Sequence, residues 1–377
     1  MTSPFLQPIP RAWVATGPYG APNYDELATC DDVRALDAAH PRSVLRVDLP
    51  QCFSDRSFLA SLPSAVRALQ DMKDDGRYAP VADALLLYAM DDARAVVGLV
   101  RTDEISDGPD QPGRLLRNEE VFADKVAERR AHLEALHHLV SAVLLVPEDG
   151  PACSSALERA FDGVGDPLVT EVDERGVTHR VWLAADPAAL QEVLDRQVFL
   201  VADGNHRSLA AQQAGFGVCL AVVADPVGLR IAAYHRLLLL GLTGAELVEK
   251  ARQAGFAPAP VTELDPRDNH LVTAEGSFRL ALTGPDDPVG RLPHSVVESD
   301  LFAAVLGIDP AGEHVRYDAD AGALVAEVHE GRATGAILLR PVTTDEFVAV
   351  NAARLQMPRK STWFLPKARA GLFLAQL

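Results

Sequence analysis

The stretch VFLVADGNHRSLAAQQAG, residues 198–215, decides how the chain is read. Val198 to Ala202 is an apolar run of strand length. Asp203-Gly204-Asn205-His206-Arg207 interrupts it, and Ser208 to Ala214 reads as a helix of small residues. Gly204 lets the backbone turn sharply. The first turn of the helix offers amides without intrahelical acceptors, and its dipole adds partial positive charge, so such an end suits a phosphate. Gly204, Asn205 and Ser208 would lie around that anion, and Arg207 adds a planar bidentate donor. Asp203 can hold Mg²⁺ or orient a nucleophile. His206 can donate to a reacting oxygen or exchange a proton with it. The residues leave a plainer alternative open, in which Asp203 caps the helix and Arg207 pairs with Asp203.

The surroundings narrow the choice of chemistry. The chain has 377 residues, enough for two or three domains with real cores. With 35 basic and 53 acidic residues the formal charge is −18, which disfavours nucleic acid as a partner. The longest apolar runs, such as Leu237 to Leu242, fall short of a membrane span of roughly 18 residues. The start, MTSPFLQPIPRAW, lacks the pattern of a signal peptide, so a cytoplasmic location is expected. Cys30, Cys52, Cys153 and Cys219 form no CxxC and are read as neither a zinc ribbon nor a disulfide scaffold. Neither GxxxxGK[ST] nor GxSxG occurs, which removes the P-loop and the common hydrolase elbow.

Along the chain, residues 1–30 are rich in Pro and Gly and read as an irregular arm. Ser43 to Leu49 alternates like a strand, and Phe58 to Met72 is spaced like a helix. Ala84 to Tyr88 and Ala95 to Val100 flank Asp91-Asp92 as a hairpin. Ser106 to Gly113 reads as a loop, Asn118 to Leu136 as one long charged helix, and Leu139 to Val146 as one strand. Further strands are expected at Thr178 to Leu183, Val218 to Val223 and Ala336 to Leu339. Further helices are expected near Ala188 to Leu194, Val296 to Leu306 and Asp345 to Arg354. Tyr234-His235-Arg236 reads as a polar cluster at a strand edge.

Three other segments hold candidate chemistry. Glu119 opens the charged helix, where it is either a general base or an ordinary first-turn acid, and Glu120 is an equally placed substitute. Lys125 and Arg129 share a face four residues apart and would repel unless an anion, or simply solvent, sits between them. Near the C-terminus Arg359, Lys360 and Lys367 alternate with Trp363 and Phe364. Such a tail could clamp a nucleotide by charge and stacking, or dock on the core by its aromatics. In the N-terminal arm, Tyr24 and Asp25 could receive the amino group of an amino acid, although an exposed loop acid is the commoner case.

The 203–207 turn resembles those of the ParB/sulfiredoxin superfamily. The order of Asn23-Tyr24-Asp25, Arg117-Asn118-Glu119, Asp203-Gly204-Asn205-His206-Arg207, Tyr234-His235-Arg236 and Met357-Pro358-Arg359-Lys360-Ser361-Thr362-Trp363-Phe364 resembles the domain-of-unknown-function 1015 family. It departs from the family pattern in carrying Asn where Pro is usual at 23, and Asn where His is usual at 118 and 205. The resemblance implies an α+β fold: an N-terminal arm and helical segment over 1–80, a ParB/sulfiredoxin-like nucleotide-binding core over 81–240, and a C-terminal α/β domain over 241–377. Free L-serine kinases of the superfamily have a similar turn. By that likeness the chain would transfer phosphate from ATP or ADP, with Mg²⁺, to the hydroxyl of a free amino acid such as L-serine. Glu119, Asp203 and His206 would be catalytic, with Asp203 on the metal. Gly204, Asn205, Arg207, Ser208, Lys360 and Lys367 would hold nucleotide, and Tyr24, Asp25, Arg117 and Trp363 would hold substrate. The rival reading is a nucleotide-binding regulator without turnover. The expected partners are a nucleotide and a small amino acid, with a homodimer left open.

Overall fold

The computed structural model describes residues 4–27, 29–106, 108, 110 and 113–377. The fold is α+β. Among the described residues the largest sheet has ten strands. Its centre is Ala93–Arg101, Val218–Ala224, Val143–Pro147 and Phe199–Asp203, side by side in that order. These strands are almost wholly buried, which explains why they read as continuous apolar runs rather than alternations. Leu86–Met90 and Ala93–Arg101 form the expected hairpin, with Met90 opposite Ala93 across the Asp91-Asp92 turn. Val218–Ala224 lies parallel to Val143–Pro147, while Phe199–Asp203 runs antiparallel to it and ends at the 203–207 turn.

A second, six-stranded antiparallel sheet is built from residues 235–338, with its own apolar core around Leu247, Leu271, Leu301 and Ile337. A third sheet joins the two ends of the chain: Ile9–Ala15 lies between Tyr78–Ala84 and Phe373–Gln376. Two short strands, Arg230–Ala232 and Trp363–Leu365, pair separately. No helix among the described residues is long and apolar enough to cross a membrane.

Several expectations are corrected. Residues 1–30 are not wholly irregular, because Ile9–Ala15 is a strand. Pro10 is tolerated there because Phe373–Gln376 pairs only with residues 12–14 of it. Ser43 to Leu49 is not a strand: Leu45–Asp48 is a short helix followed by a 3₁₀ turn, Pro50–Phe53. The alternation misleads because Asp48, a polar position in it, is buried against Arg129. The helix expected from Asn118 starts at Ala123, since residues 118–120 are extended and bonded to the tail. Leu139 to Val146 is two strands in different sheets, His138–Leu139 and Val143–Pro147. Val296 to Leu306 is helical, but with π-type bonding over Val297–Leu306. Cys30 and Cys52 form a disulfide, a closeness that a spacing of 22 residues cannot announce. The loop read over 106–113 falls partly outside the described residues.

Candidate functional site

Gly204 closes the Phe199–Asp203 strand in a left-handed conformation, φ 98°, and the Asn205–Ala214 helix starts directly after it. A Cβ on Gly204 would sit 3.2 Å from the Arg207 guanidinium and 3.3 Å from the Val143 Cα, so both conformation and space favour glycine. Arg207 is folded beneath this turn. Its guanidinium bonds the Asp203 carboxylate, the Asn23 side-chain oxygen and the Ala142 carbonyl. Ser208 is fully buried, and its hydroxyl returns to the Asn205 carbonyl at 2.9 Å.

Above the turn lies a narrow, nearly filled cleft, lined by Tyr24, Asp25, Glu119, Asp203, Gly204, Asn205, His206, Tyr234, Lys360, Thr362, Trp363 and Lys367 among others. Four segments remote in sequence, around 24–25, 119, 234 and 360–367, therefore meet at the 203–207 turn. Lys367 Nζ contacts Asp203 Oδ1 at 2.7 Å and lies 4.0 Å from the centre of the Trp363 ring. Lys360 Nζ contacts Asp25 Oδ2 at 2.9 Å. Glu119 accepts from the amides of Lys360 at 2.7 Å and Ser361 at 3.4 Å. A second, roomier opening shares Tyr24, Asp25, His206, Tyr234 and Lys360 with the first, and is bordered by Phe122, Lys125 and the Cys30–Cys52 bridge.

Charge inside the cleft is finely matched. Burial would raise the pKa of Asp25, but Lys360, Lys367 and Arg207 outweigh it and hold this carboxyl below the usual range. Asp203 is likewise lowered, because Lys367 and Arg207 overcome its burial. Glu119 goes the other way: burial raises its pKa despite Lys360 and the two amides. Lys360 stays firmly protonated, since Asp25 and its other neighbours more than offset burial. Burial, then the Lys360 charge, pushes His206 down to about 4, so its ring is neutral at pH 7. The Phe122 amide donates to its Nε2 at 2.9 Å, which leaves the single ring proton on Nδ1. His206 is thus a neutral donor rather than a cation.

The structure does not bring every candidate to the cleft wall. Arg207 and Ser208 lie under the turn, and Arg117 is buried nearby without lining the cleft. Arg359 pairs with Glu120 at 2.9 Å. The Lys125–Arg129 face is not a paired anion site. Lys125 contacts Glu128, while Arg129 is buried between the rings of Tyr24 and Phe58 and bonded to Asp48. Its work is to brace Tyr24. The two positions where Asn replaces the family's usual His touch each other, because the Asn118 amide donates to Asn205 Oδ1 at 3.4 Å.

Sequence reading missed Arg236. Far from a strand edge, its strand runs inside the second sheet, paired on both sides. Arg236 is fully buried and bonds the carbonyls of Arg359 and Lys360. The signal was present: a charged residue directly before four leucines is expensive to bury and needs a reason.

Asp203 is a constrained choice of metal ligand, because each of its oxygens already has a cationic partner. Asp25 keeps one buried oxygen, Oδ1, without a hydrogen-bond partner. Among the described residues no three His, Cys, Asp or Glu side chains form a metal cage. This donor set fits an Mg²⁺ that arrives on a nucleotide and keeps mostly phosphate and water ligands.

An α+β protein with a buried, charge-matched cleft over a strand–turn–helix junction is the class that fold and site define. The chain belongs to the family described as protein of unknown function (DUF1015), whose model matches residues 16–298. No curated protein matches it in sequence. Similar solved structures include a free serine kinase in complex with AMP, at 13% identity and TM-score 0.43, covering 73% of this chain and 92% of that one. A conserved hypothetical protein from Pyrococcus furiosus matches at 14% and 0.43, covering 73% and 95%. SbnI with a C-terminal truncation, from Staphylococcus aureus, matches at 11% and 0.41, covering 73% and 87%.

Proposed function

We propose that this protein is a small-molecule kinase, transferring a phosphoryl group from ATP or ADP to the hydroxyl of a free amino acid, with L-serine as the first candidate. The observation that carries the reading is the meeting of Glu119, Asp25, Asp203, Lys360 and Lys367 in one cleft above the 203–207 turn. Phosphoryl transfer is chiefly positioning and charge neutralisation, and these groups are suited to both. Glu119, with its raised pKa, takes the proton of the acceptor hydroxyl as the new oxygen–phosphorus bond forms. The bond from the terminal phosphorus to the donor's bridging oxygen breaks, and the shortened nucleotide leaves with those electrons. Lys360, Lys367 and the helix amides face the phosphate oxygens, and the His206 Nδ1 proton is a further donor. Arg207 supports this arrangement from below by fixing Asp203. The open oxygen of Asp25 suits the ammonium of an amino acid, or the Mg²⁺ carried by the nucleotide, with Asp203 as the second carboxylate. That ion would neutralise phosphate charge.

The test is phosphorus NMR of the protein with Mg²⁺, L-serine and either nucleotide. A phosphoserine resonance that vanishes in Glu119→Gln is expected. Silence with both nucleotides refutes the reading. Calorimetric binding of nucleotide without consumption returns the protein to the class of regulators.

A further inference from the structure

We infer that Arg236 is a positioning residue, which fixes the Lys360 backbone against Glu119 and joins the second sheet to the cleft. This rests on the reading of Glu119 and Lys360 as working groups of a kinase site.

Lys360 has φ 55°, a left-handed conformation that costs a non-glycine residue energy and needs outside support. It is held from two sides. Its amide donates to Glu119 Oε1 at 2.7 Å, and its carbonyl accepts from Arg236 Nη1 at 2.9 Å. Arg236 Nη2 also bonds the preceding carbonyl, that of Arg359, at 3.1 Å. One planar fork therefore grips two successive carbonyls, which a lysine ammonium could not do in the same geometry. The fork is itself anchored. Glu298, in the π-type segment, accepts from Nη2 at 3.2 Å, and the Tyr317 ring lies 4.9 Å from the guanidinium. Arg236 also faces Tyr317 and Ile337 across its two strand ladders. π-Bonded turns often occur beside functional sites.

The placement has an electrostatic consequence. Lys360 and Arg236 both favour the Glu119 anion against its burial, with Lys360 the larger. The other groups facing this region are Tyr234, Asp25, Glu298 and Tyr317, together with His235 and His294. Both histidines have pKa values lowered by burial and then by Arg236.

The experiment follows the Glu119 carboxyl by carbon-13 NMR titration, assigned by loss of its signal in Glu119→Gln. In Arg236→Met the midpoint rises, because a favourable charge is gone. A merely loosened fold would expose Glu119 and lower its midpoint, so a rise in Arg236→Met distinguishes the two causes. An unchanged or lowered midpoint there overturns the proposal. Arg236→Lys keeps the charge but loses the fork, so its Glu119 titration stays near wild type while kcat falls on the order of 10²-fold. Full activity in Arg236→Lys overturns the inference, and it decides alone if Arg236→Met does not fold. If the wild type has no kinase activity, the proposed reaction fails, yet the midpoint in Arg236→Met still decides whether Arg236 acts on Glu119.

Discussion

Replacing Lys367 by Met tests whether the cleft is held by charge. Lys367 and Asp203 retain 5% and 13% side-chain exposure and lie 2.7 Å apart. Removing one partner of a buried pair typically costs about 3–5 kcal/mol, because the other charge is left unmatched. Asp203 keeps Arg207, so the lower end applies, about 3 kcal/mol. At roughly 2 °C per kcal/mol for a chain of this size, Tm falls by about 6 °C. Asp203→Asn alone strands both Lys367 and Arg207 and should cost more. In the double variant the lysine charge is gone too, and the part of the loss due to stranded Lys367 returns. Denaturant unfolding of all four proteins gives the coupling energy, expected well above the ~0.5 kcal/mol at which independent sites add. Additive losses would refute the claim that these two side chains balance one another.

Two further outcomes follow from the same chemistry. Glu119→Gln should abolish turnover yet stabilise the fold. The folded-state pKa of Glu119 is raised, so its contribution to stability is present at low pH and is lost as pH climbs through that raised value. The Tm advantage of the variant over wild type should therefore grow as pH is raised above the ordinary glutamate range, by scanning calorimetry, and a constant difference would contradict this. Cys52→Ser, which opens the 22-residue link to Cys30, should lower unfolding free energy by about 2–4 kcal/mol. In wild type denatured without reductant, an alkylating reagent followed by mass spectrometry should modify Cys153 and Cys219 and leave Cys30 and Cys52 untouched.

The strand–turn–helix at 198–214 was legible because its physics is local: an apolar run, a glycine that must adopt positive φ, and small helical residues. Glu119, Asp25 and the tail lysines were singled out from residue type and resemblance, and the structure brings them to one cleft. Their pairings were not legible. Nothing at Asp25 announces Lys360, and nothing at Asp203 announces Lys367, because each contact is set by how sheets pack rather than by neighbours in the chain. Where pattern reading failed outright, it treated charge as a mark of the surface. Asp48, Arg129 and Arg236 are all buried and paired. Asp48 reads as part of a strand alternation, Arg129 as one side of an anion site or of a solvated helix face, and Arg236 as part of a polar strand edge.

The separation between Asp25 and Lys360 is 335 residues, and between Asp203 and Lys367 it is 164. On a ribosome adding about 5–20 residues per second, Asp25 would wait roughly 20–70 s for its counter-ion. Once Asp203 has been made, the nascent chain carries two acids destined for a dry interior, with their lysines still unmade. The large sheet must take shape around an unfinished cleft, and the last strand to emerge, Phe373–Gln376, then clasps the first long one, Ile9–Ala15. Premature release before residue 360 would thus yield a chain in which Asp25 and Asp203 both lack their lysine partners.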